Sequence, residues 1–270
     1  MKRREGKGFN KMKNIKEELK QYLFVIRQLS SREIKRRYTR TSLGIIWSVL
    51  NPLLTMLVMA VVFTQMFRWQ IEHYALYLMA GQIVWQLFSN ATNSAMTSLV
   101  DNKALLIRVK YPKMIFPMSR VFSASTNFLY TFIAFIVLMI VFRIPFSFTM
   151  LLMPVIFICI VLFSLGIGYI LSCLYGFFGD IKYLYSVFLT MLMYLSALFY
   201  SVGYLDGIVR SVVENNPIYN YISCFRKVMI YGQLPNQAEV IRMIVWTAAA
   251  YTIGVLIFKK TENKLMIHLW

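Results

Sequence analysis

Between Arg143 and Asp180 the chain runs for 36 residues without a formal charge. In hydrocarbon only a helix satisfies all its own backbone N–H and C=O groups, and crossing ~30 Å takes about 20 apolar residues. Six charge-free runs occur, at 43–67, 74–100, 121–142, 144–179, 183–205 and 243–258. The first five are each long enough to cross. The last has 16 residues and reaches if Arg242 and Lys259 extend their charges to the two interfaces. The 36-residue run exceeds one crossing, and Pro145 with Ser147 marks a turn near its start. The expected fold is all-α and polytopic, with six transmembrane helices.

Composition agrees: 59% of residues are hydrophobic and 15% charged, against ~25% charged in an average soluble chain. The N-terminus does not read as a secretory signal, because charges continue to Arg40 with no apolar segment close behind the first cluster. Cys159 and Cys173 fall on one predicted helix about 21 Å apart, so they cannot bridge. These two and Cys224 are expected to be apolar fillers.

The net charge of +18 is distributed by side rather than along a nucleic-acid-binding face. With the N-terminus and C-terminus cytoplasmic, 23 Lys and Arg lie inside and six outside (Arg68, Arg143, Arg210, Arg226, Lys227 and Arg242). That asymmetry is what the positive-inside rule requires. The basic excess is expected to serve topology and contact with anionic lipids, not nucleic acid.

Residues 1–14 form a basic tail expected to be disordered. Over 15–41 the apolar positions Ile15, Leu19, Tyr22, Leu23, Ile26 and Leu29 recur at helical spacing, which predicts an amphipathic helix in the inner interface. Residues 42–270 make the six-helix domain. In its first span Asn51-Pro52 predicts a kink. The second span ends in Ser89, Asn90, Thr92, Asn93 and Ser94, a set unsuited to lipid and expected to face protein. The fourth carries Ser164, Gly166 and Gly168, a small-residue patch for close helix packing. An outer re-entrant region spans about 201–235. Within it Asn216-Pro217 starts a short helix with Ile218, Tyr221, Ile222, Phe225, Val228 and Met229 on its apolar face. Asn220, Ser223, Arg226 and Lys227 lie on the other, and Gly232 with Pro235 ends it.

Several chemistries lack their residues. No Asp or Glu lies inside a span, as ion-coupled carriers usually require. No His/Asp/Glu cluster suggests a metal site or an acid–base pair, and no Gly-x-x-x-x-Gly-Lys-Ser/Thr is present to hold ATP. The chain is therefore expected to be no enzyme and to hold no metal or cofactor. If it pumps, ATP and Mg are bound by a partner subunit. The segment 101–112 forms a short amphipathic helix stopped by Tyr111-Pro112, read either as a basic inner loop or as a surface that receives force. The aromatics near span ends are equally compatible with interfacial belts and with rings presented to sugar C–H faces.

Four local patterns resemble one family. They are Arg-Arg-Tyr-x-x-Thr-x-Leu-Gly-x-x-Trp-Ser-x-Leu-Asn-Pro-Leu from Arg36 to Leu53, Val109-Lys110-Tyr111-Pro112 with Phe116-Pro117, Phe178-Gly179-Asp180-Ile181-Lys182, and Asn216-Pro217 followed by Phe225-Arg226. Their order and spacing resemble the membrane subunit of type-2 ABC transporters, in the branch exporting O-antigen, capsular polysaccharide and teichoic acid. Gly179 departs from the Arg that many relatives carry before the Asp.

The resemblance implies a homodimer bound to two cytoplasmic ABC ATPase subunits in the bacterial inner membrane, exporting a lipid-linked glycan. It implies ATPase coupling through Lys103, Leu106, Arg108, Lys110, Tyr111 and Pro112, with Asp180 and Lys182 as a second contact. Tyr22, Arg36, Arg37, Tyr38 and Trp47 would belong to an interface collar. A polymer path from the first, second and fifth spans would be lined by Phe63, Phe67, Trp85, Phe88, Tyr185, Phe188, Tyr194, Phe199 and Tyr200. Two alternatives remain at this point: export of a lipid, drug or peptide on the same fold, and a channel or secondary carrier without an ATPase.

Overall fold

The computed structural model describes residues 20–35, 43–44, 46–67, 73–108 and 111–269; at Ala60, 63–67, 107–108 and 266–269 it describes the backbone alone. Among the described residues all regular structure is helical. Helix α1 covers 20–35, α2 Ile46–Phe67, α3 Tyr74–Asp101, α4 Lys103–Arg108 and α5 Ile115–Val141. A 3₁₀ turn, Phe148–Leu152, leads into α6, Met153–Phe177. Then come α7 Ile181–Tyr194, a 3₁₀ turn Val202–Tyr204, α8 Gly207–Asn215, α9 Pro217–Met229 and α10 Gln237–Leu269.

Three segments among the described residues are long and apolar enough to cross a membrane: Ile115–Val141, Phe148–Phe177 and Gln237–Leu265. Helix α3 is long enough, at 28 residues, but carries polar groups and lies enclosed by α2, α5, α6 and α9. It is the axis of the bundle, with Leu76, Met79, Ile83, Met96 and Leu99 almost fully buried. On the far side of α6 lies α10. Two glycines set their approach: a Cβ on Gly254 would come within 2.2 Å of Gly166 O, and one on Gly166 within 2.3 Å of Ala250 O. The small-residue patch of the fourth run thus packs as expected. Ser147 caps the 3₁₀ turn before α6, accepting from Thr149 N, so the long charge-free run divides where Pro145 and Ser147 indicate. Cys159 and Cys173 both lie on α6, and all three cysteines are free.

Pro52 sits in the second turn of α2, where it cannot donate to the carbonyl of Ser48. Thr131 Oγ1 of α5 donates to that carbonyl instead, at 3.3 Å. The helix defect becomes an interhelical tie.

The fifth charge-free run does not form one helix. Helix α7 ends at Tyr194 after 14 residues, about 21 Å of rise, and the chain turns irregular with Ala197 in the left-handed region at φ 47°. Irregular backbone in apolar surroundings persists only where other groups satisfy its N–H and C=O groups. Helix α9 and the start of α3 do so here, as described below. The last helix also differs from expectation at one end: Arg242 donates to Glu214 O at the C-terminus of α8, 2.9 Å away, instead of reaching out alone.

Helix α1 docks on the start of α5. Ser30 Oγ donates to Ser119 O at 2.8 Å, Ile26 is buried, and Glu33 pairs with Arg120, which also reaches Asp101 at 3.1 Å. Leu23 and Phe24 point away from the protein, 64% and 62% exposed, so the helix carries a second apolar face. Residues 1–19 and 36–42 lie outside the described residues, and with them the basic tail, Arg36, Arg37 and Tyr38.

Candidate functional site

Helix α3 is buried on most of its circumference but accessible along one stripe. Gln82, Gln86, Ser89, Asn93 and Thr97 follow one another at intervals of three and four residues, the helical repeat, and rise over about 22 Å. Every one is exposed or half-buried, while Ile83, Leu87, Ala91 and Ala95 on the opposite side are buried. Asn51 and Thr55 of α2 and Ser186 and Thr190 of α7 border the stripe.

Three adjoining cavities follow it. One of about 450 Å³ lies between α2, α3 and α5, lined by Trp47 and four carboxamides, those of Asn51, Gln86, Asn90 and Asn127. A second, about 260 Å³, shares Gln86 with the first and adds Gln82, Trp85 and Phe199. A third of about 510 Å³ shares Trp85 and runs past Ser89, Asn93, Ser186 and Thr190 to Lys182. Lys182 is the single formal charge among the residues lining these cavities. Hydroxyls and carboxamides both donate and accept hydrogen bonds, so they can exchange partners with a hydroxyl-rich ligand without the deep well a fixed charge would make.

At one end the groove meets the irregular segment after α7. Its carbonyls are claimed one by one. Asn216 Nδ2 donates to Leu195 O at 3.0 Å, Arg226 Nη1 to Ala197 O and Nη2 to Leu198 O, both at 3.0 Å, and Tyr74 OH to Phe199 O at 2.8 Å. Tyr77 OH donates to Tyr200 O at 2.7 Å. Arg226 Nε donates to Tyr77 O at 3.2 Å, and its guanidinium carbon lies 3.4 Å from the centre of the Tyr77 ring. Arg226 is 4% exposed. The expectation that it shares an outward polar face of α9 is corrected: both Asn220 and Arg226 are buried, because α9 is packed on either side by α3 and α10. Gly81 makes room for the guanidinium, since a Cβ there would fall 2.6 Å from Nη2. Helix α9 itself begins and ends where the sequence indicates, with Asn216 capping Ile218 N at 2.9 Å and Gly232 at φ 61°.

At the opposite end α4 is a short helix between α3 and α5. Lys103 is exposed and Leu106 is turned into the core. Tyr111, 37% exposed, meets the Tyr22 ring edge-on at 6.5 Å, and Pro112 is exposed beside it. Asp180 and Lys182, both exposed, lie at the start of α7. Lys110 and the side chain of Arg108 lie outside the described residues.

The aromatic residues divide. Trp85 and Phe199 line the groove, and Trp47 of the collar set lines its first cavity. Phe88 and Tyr185 are turned inside the subunit: Phe88 packs on Phe163 at 5.7 Å, and Tyr185 OH donates to Thr92 Oγ1 at 2.6 Å. Phe188 faces an apolar cavity between α7 and α8. Tyr194 is exposed, and the Tyr200 hydroxyl donates to Tyr194 O at 2.7 Å. The side chains of Phe63 and Phe67 lie outside the described residues. Sequence reasoning missed the accessible carboxamides of Gln82 and Gln86. Their spacing to Ser89 and Asn93 carried the signal.

Comparison with known proteins gives one family. Residues 25–230 match the family model described as ABC-2 type transporter. The chain is 27% identical over 246 residues to an O-antigen export system permease protein RfbA of Klebsiella pneumoniae, covering 90% of this chain and 94% of that one. A second protein of that name from the same organism is 28% identical over the same coverage. One from Myxococcus xanthus is 27% identical over 241 residues, covering 86% of this chain and 93% of that protein. The apolar helices and the family match agree, and the chain is a multi-pass membrane protein belonging to the ABC-2 type transporter permease family.

Proposed function

We propose that this chain is the transmembrane subunit of an ATP-driven exporter that carries a lipid-linked glycopolymer from the cytoplasmic to the outer side of the bacterial inner membrane. The observation that carries this reading is the groove along α3: hydroxyls and carboxamides, uncharged until its α4 end, beside indole and phenyl rings. Sugar rings present hydroxyl edges and C–H faces, and the groove offers a partner for each. The names of the three relatives support a glycan.

The sequence contains no ATP-binding loop, so hydrolysis is assigned to two copies of a separate ATPase. The α4 end, where Lys and Arg concentrate, is assigned to the cytoplasm. Asn51, Asn93, Ser186 and Thr190 are uncovered in one subunit, and polar groups facing lipid are costly. A second copy across the groove would cover them, which supports a homodimer with the path on its axis. In that assembly α2, α3, α5, α6 and α10 cross fully, and α7 crosses together with the clamped segment. Closure of the ATPases would push α4 and the start of α7 as rigid bodies and open the groove. The polymer would then slide over contacts that are individually weak.

The test is co-purification of the chain with its ATPase in lipid nanodiscs, followed by ATP hydrolysis with and without lipid-linked glycan. Glycan stimulation is expected, and replacing Lys110 and Tyr111 should abolish it while leaving the complex assembled. A stable complex that ignores glycan and responds to other amphiphiles refutes the substrate.

A further inference from the structure

A fourth polar cavity, about 480 Å³, opens at the α9 end and shares no lining residue with the three groove cavities. The clamped segment is the partition. Leu198 and Phe199 face the groove, while Ser201, Val202 and Gly203 face the outer cavity. Its size falls within the ~300–1,000 Å³ of small-ligand sites.

Its electrostatics decide what it can take. Arg210 is paired with Glu214 at 2.8 Å, and Lys227 with Glu239 at 2.8 Å. The guanidinium of Arg226 is spent on three carbonyls and the Tyr77 ring. Each cation already has a counter-group, so the cavity is not built to capture a free anion. The cavity is also lined by two tyrosines that reach its surface, Tyr219 and Tyr231, with planar polar groups at Gln233 and the Arg210–Glu214 pair. Aromatic faces accept C–H groups, and paired ions bridge neighbouring hydroxyls as donor and acceptor.

We propose that this cavity is a saccharide-binding subsite for an uncharged unit of the transported polymer, placed beyond the partition where the polymer leaves the groove. This rests on the glycopolymer-exporter reading. A saccharide held here would oppose backsliding through the partition between strokes of the ATPase.

The test places a reporter thiol in the pocket. Gln233→Cys in the complete transporter, in nanodiscs, is labelled with a maleimide, with Leu234→Cys, 65% exposed and outside the cavity, as the reference. The probe is the repeat-unit oligosaccharide released from the host's own surface glycan, with inorganic phosphate as the anionic comparison. The oligosaccharide should slow labelling at Gln233→Cys by about tenfold or more, the factor equivalent to ~1.4 kcal/mol. Labelling at Leu234→Cys should stay unchanged, and adding Tyr231→Ala should remove the protection. Protection by phosphate and not by oligosaccharide overturns the proposal. ATP hydrolysis with lipid-linked glycan is measured on the same samples. Stimulation without protection overturns the subsite and keeps the exporter reading. Protection without stimulation keeps a saccharide site in this cavity and overturns both the exporter reading and the site's place on a polymer path. Neither effect overturns both.

Discussion

Replacing Arg226 with Met tests whether the break after α7 is held by side-chain donors. The methionine has similar length and no N–H. Ala197 O and Leu198 O then lose donors at 3.0 Å each, and a buried unsatisfied carbonyl costs ~1–3 kcal/mol. Tyr77 O lies within α3, where the helix ladder supplies another donor. Losing the contact with the Tyr77 ring removes up to ~2 kcal/mol. Against these, the variant no longer desolvates a guanidinium, a gain of several kcal/mol. The losses of roughly 2–8 kcal/mol are reduced by that gain, and the net expectation is a loss of about 1–3 kcal/mol. That lowers the thermal midpoint by on the order of 5 °C.

The assay is thermal unfolding of the purified chain in nanodiscs, with Gly81→Ala measured alongside. Alanine is the better helix former by ~1 kcal/mol, yet its Cβ would meet Arg226 Nη2 at 2.6 Å and Leu198 Cδ2 at 2.9 Å. Gly81→Ala should therefore destabilise in the presence of Arg226. It should cost much less when combined with Arg226→Met, a non-additivity the double-mutant cycle reads directly. Arg226→Lys should fall between, because one ammonium cannot reproduce three diverging N–H bonds. An Arg226→Met protein with the wild-type midpoint, together with a stabilising Gly81→Ala, would refute the clamp.

Three further outcomes follow from packing. Gly254→Ala should separate α6 from α10 and cost ~1–3 kcal/mol, seen as a lowered thermal midpoint, because the new Cβ has 2.2 Å to Gly166 O. Tyr169→Phe should leave stability unchanged or raise it by about 1 kcal/mol in the same measurement, since the buried Tyr169 hydroxyl has no hydrogen-bond partner among the described residues. Arg120→Ala should release α1 from α5 by removing the shared partner of Glu33 and Asp101, and amide hydrogen exchange over 20–35 should accelerate.

The start of α9 was legible because its signals are local: an Asn cap, Pro at the first helical position and a Gly stop act within a few residues of chain. The division of the 144–179 run was legible for the same reason. The break after Tyr194 was not. Residues 183–205 contain no proline and no charge, so nothing in the run itself opposes a continuous helix. The groups that stabilise the break come from Tyr74, Tyr77, Asn216 and Arg226, which lie up to 125 residues away in sequence. The aromatic residues show the same limit. Helical periodicity puts Trp85 and Phe88 close together on α3, but only the positions of α6 and α7 decide that one borders the groove and the other packs on Phe163.

The sequence by itself determined the solvent, the all-helical class and the charge asymmetry, because backbone desolvation and the placement of lysine and arginine depend on composition along the chain. It also determined the carboxamide and hydroxyl repeat on α3, since helical period is a property of spacing. Tertiary structure alone decided that this repeat is left open as a groove while the rest of α3 is enclosed. It also decided that Arg226 serves as a buried clamp rather than an outer surface charge. Both depend on which neighbours cover a side chain, and this buried cation is held because carbonyls from separate segments converge on it.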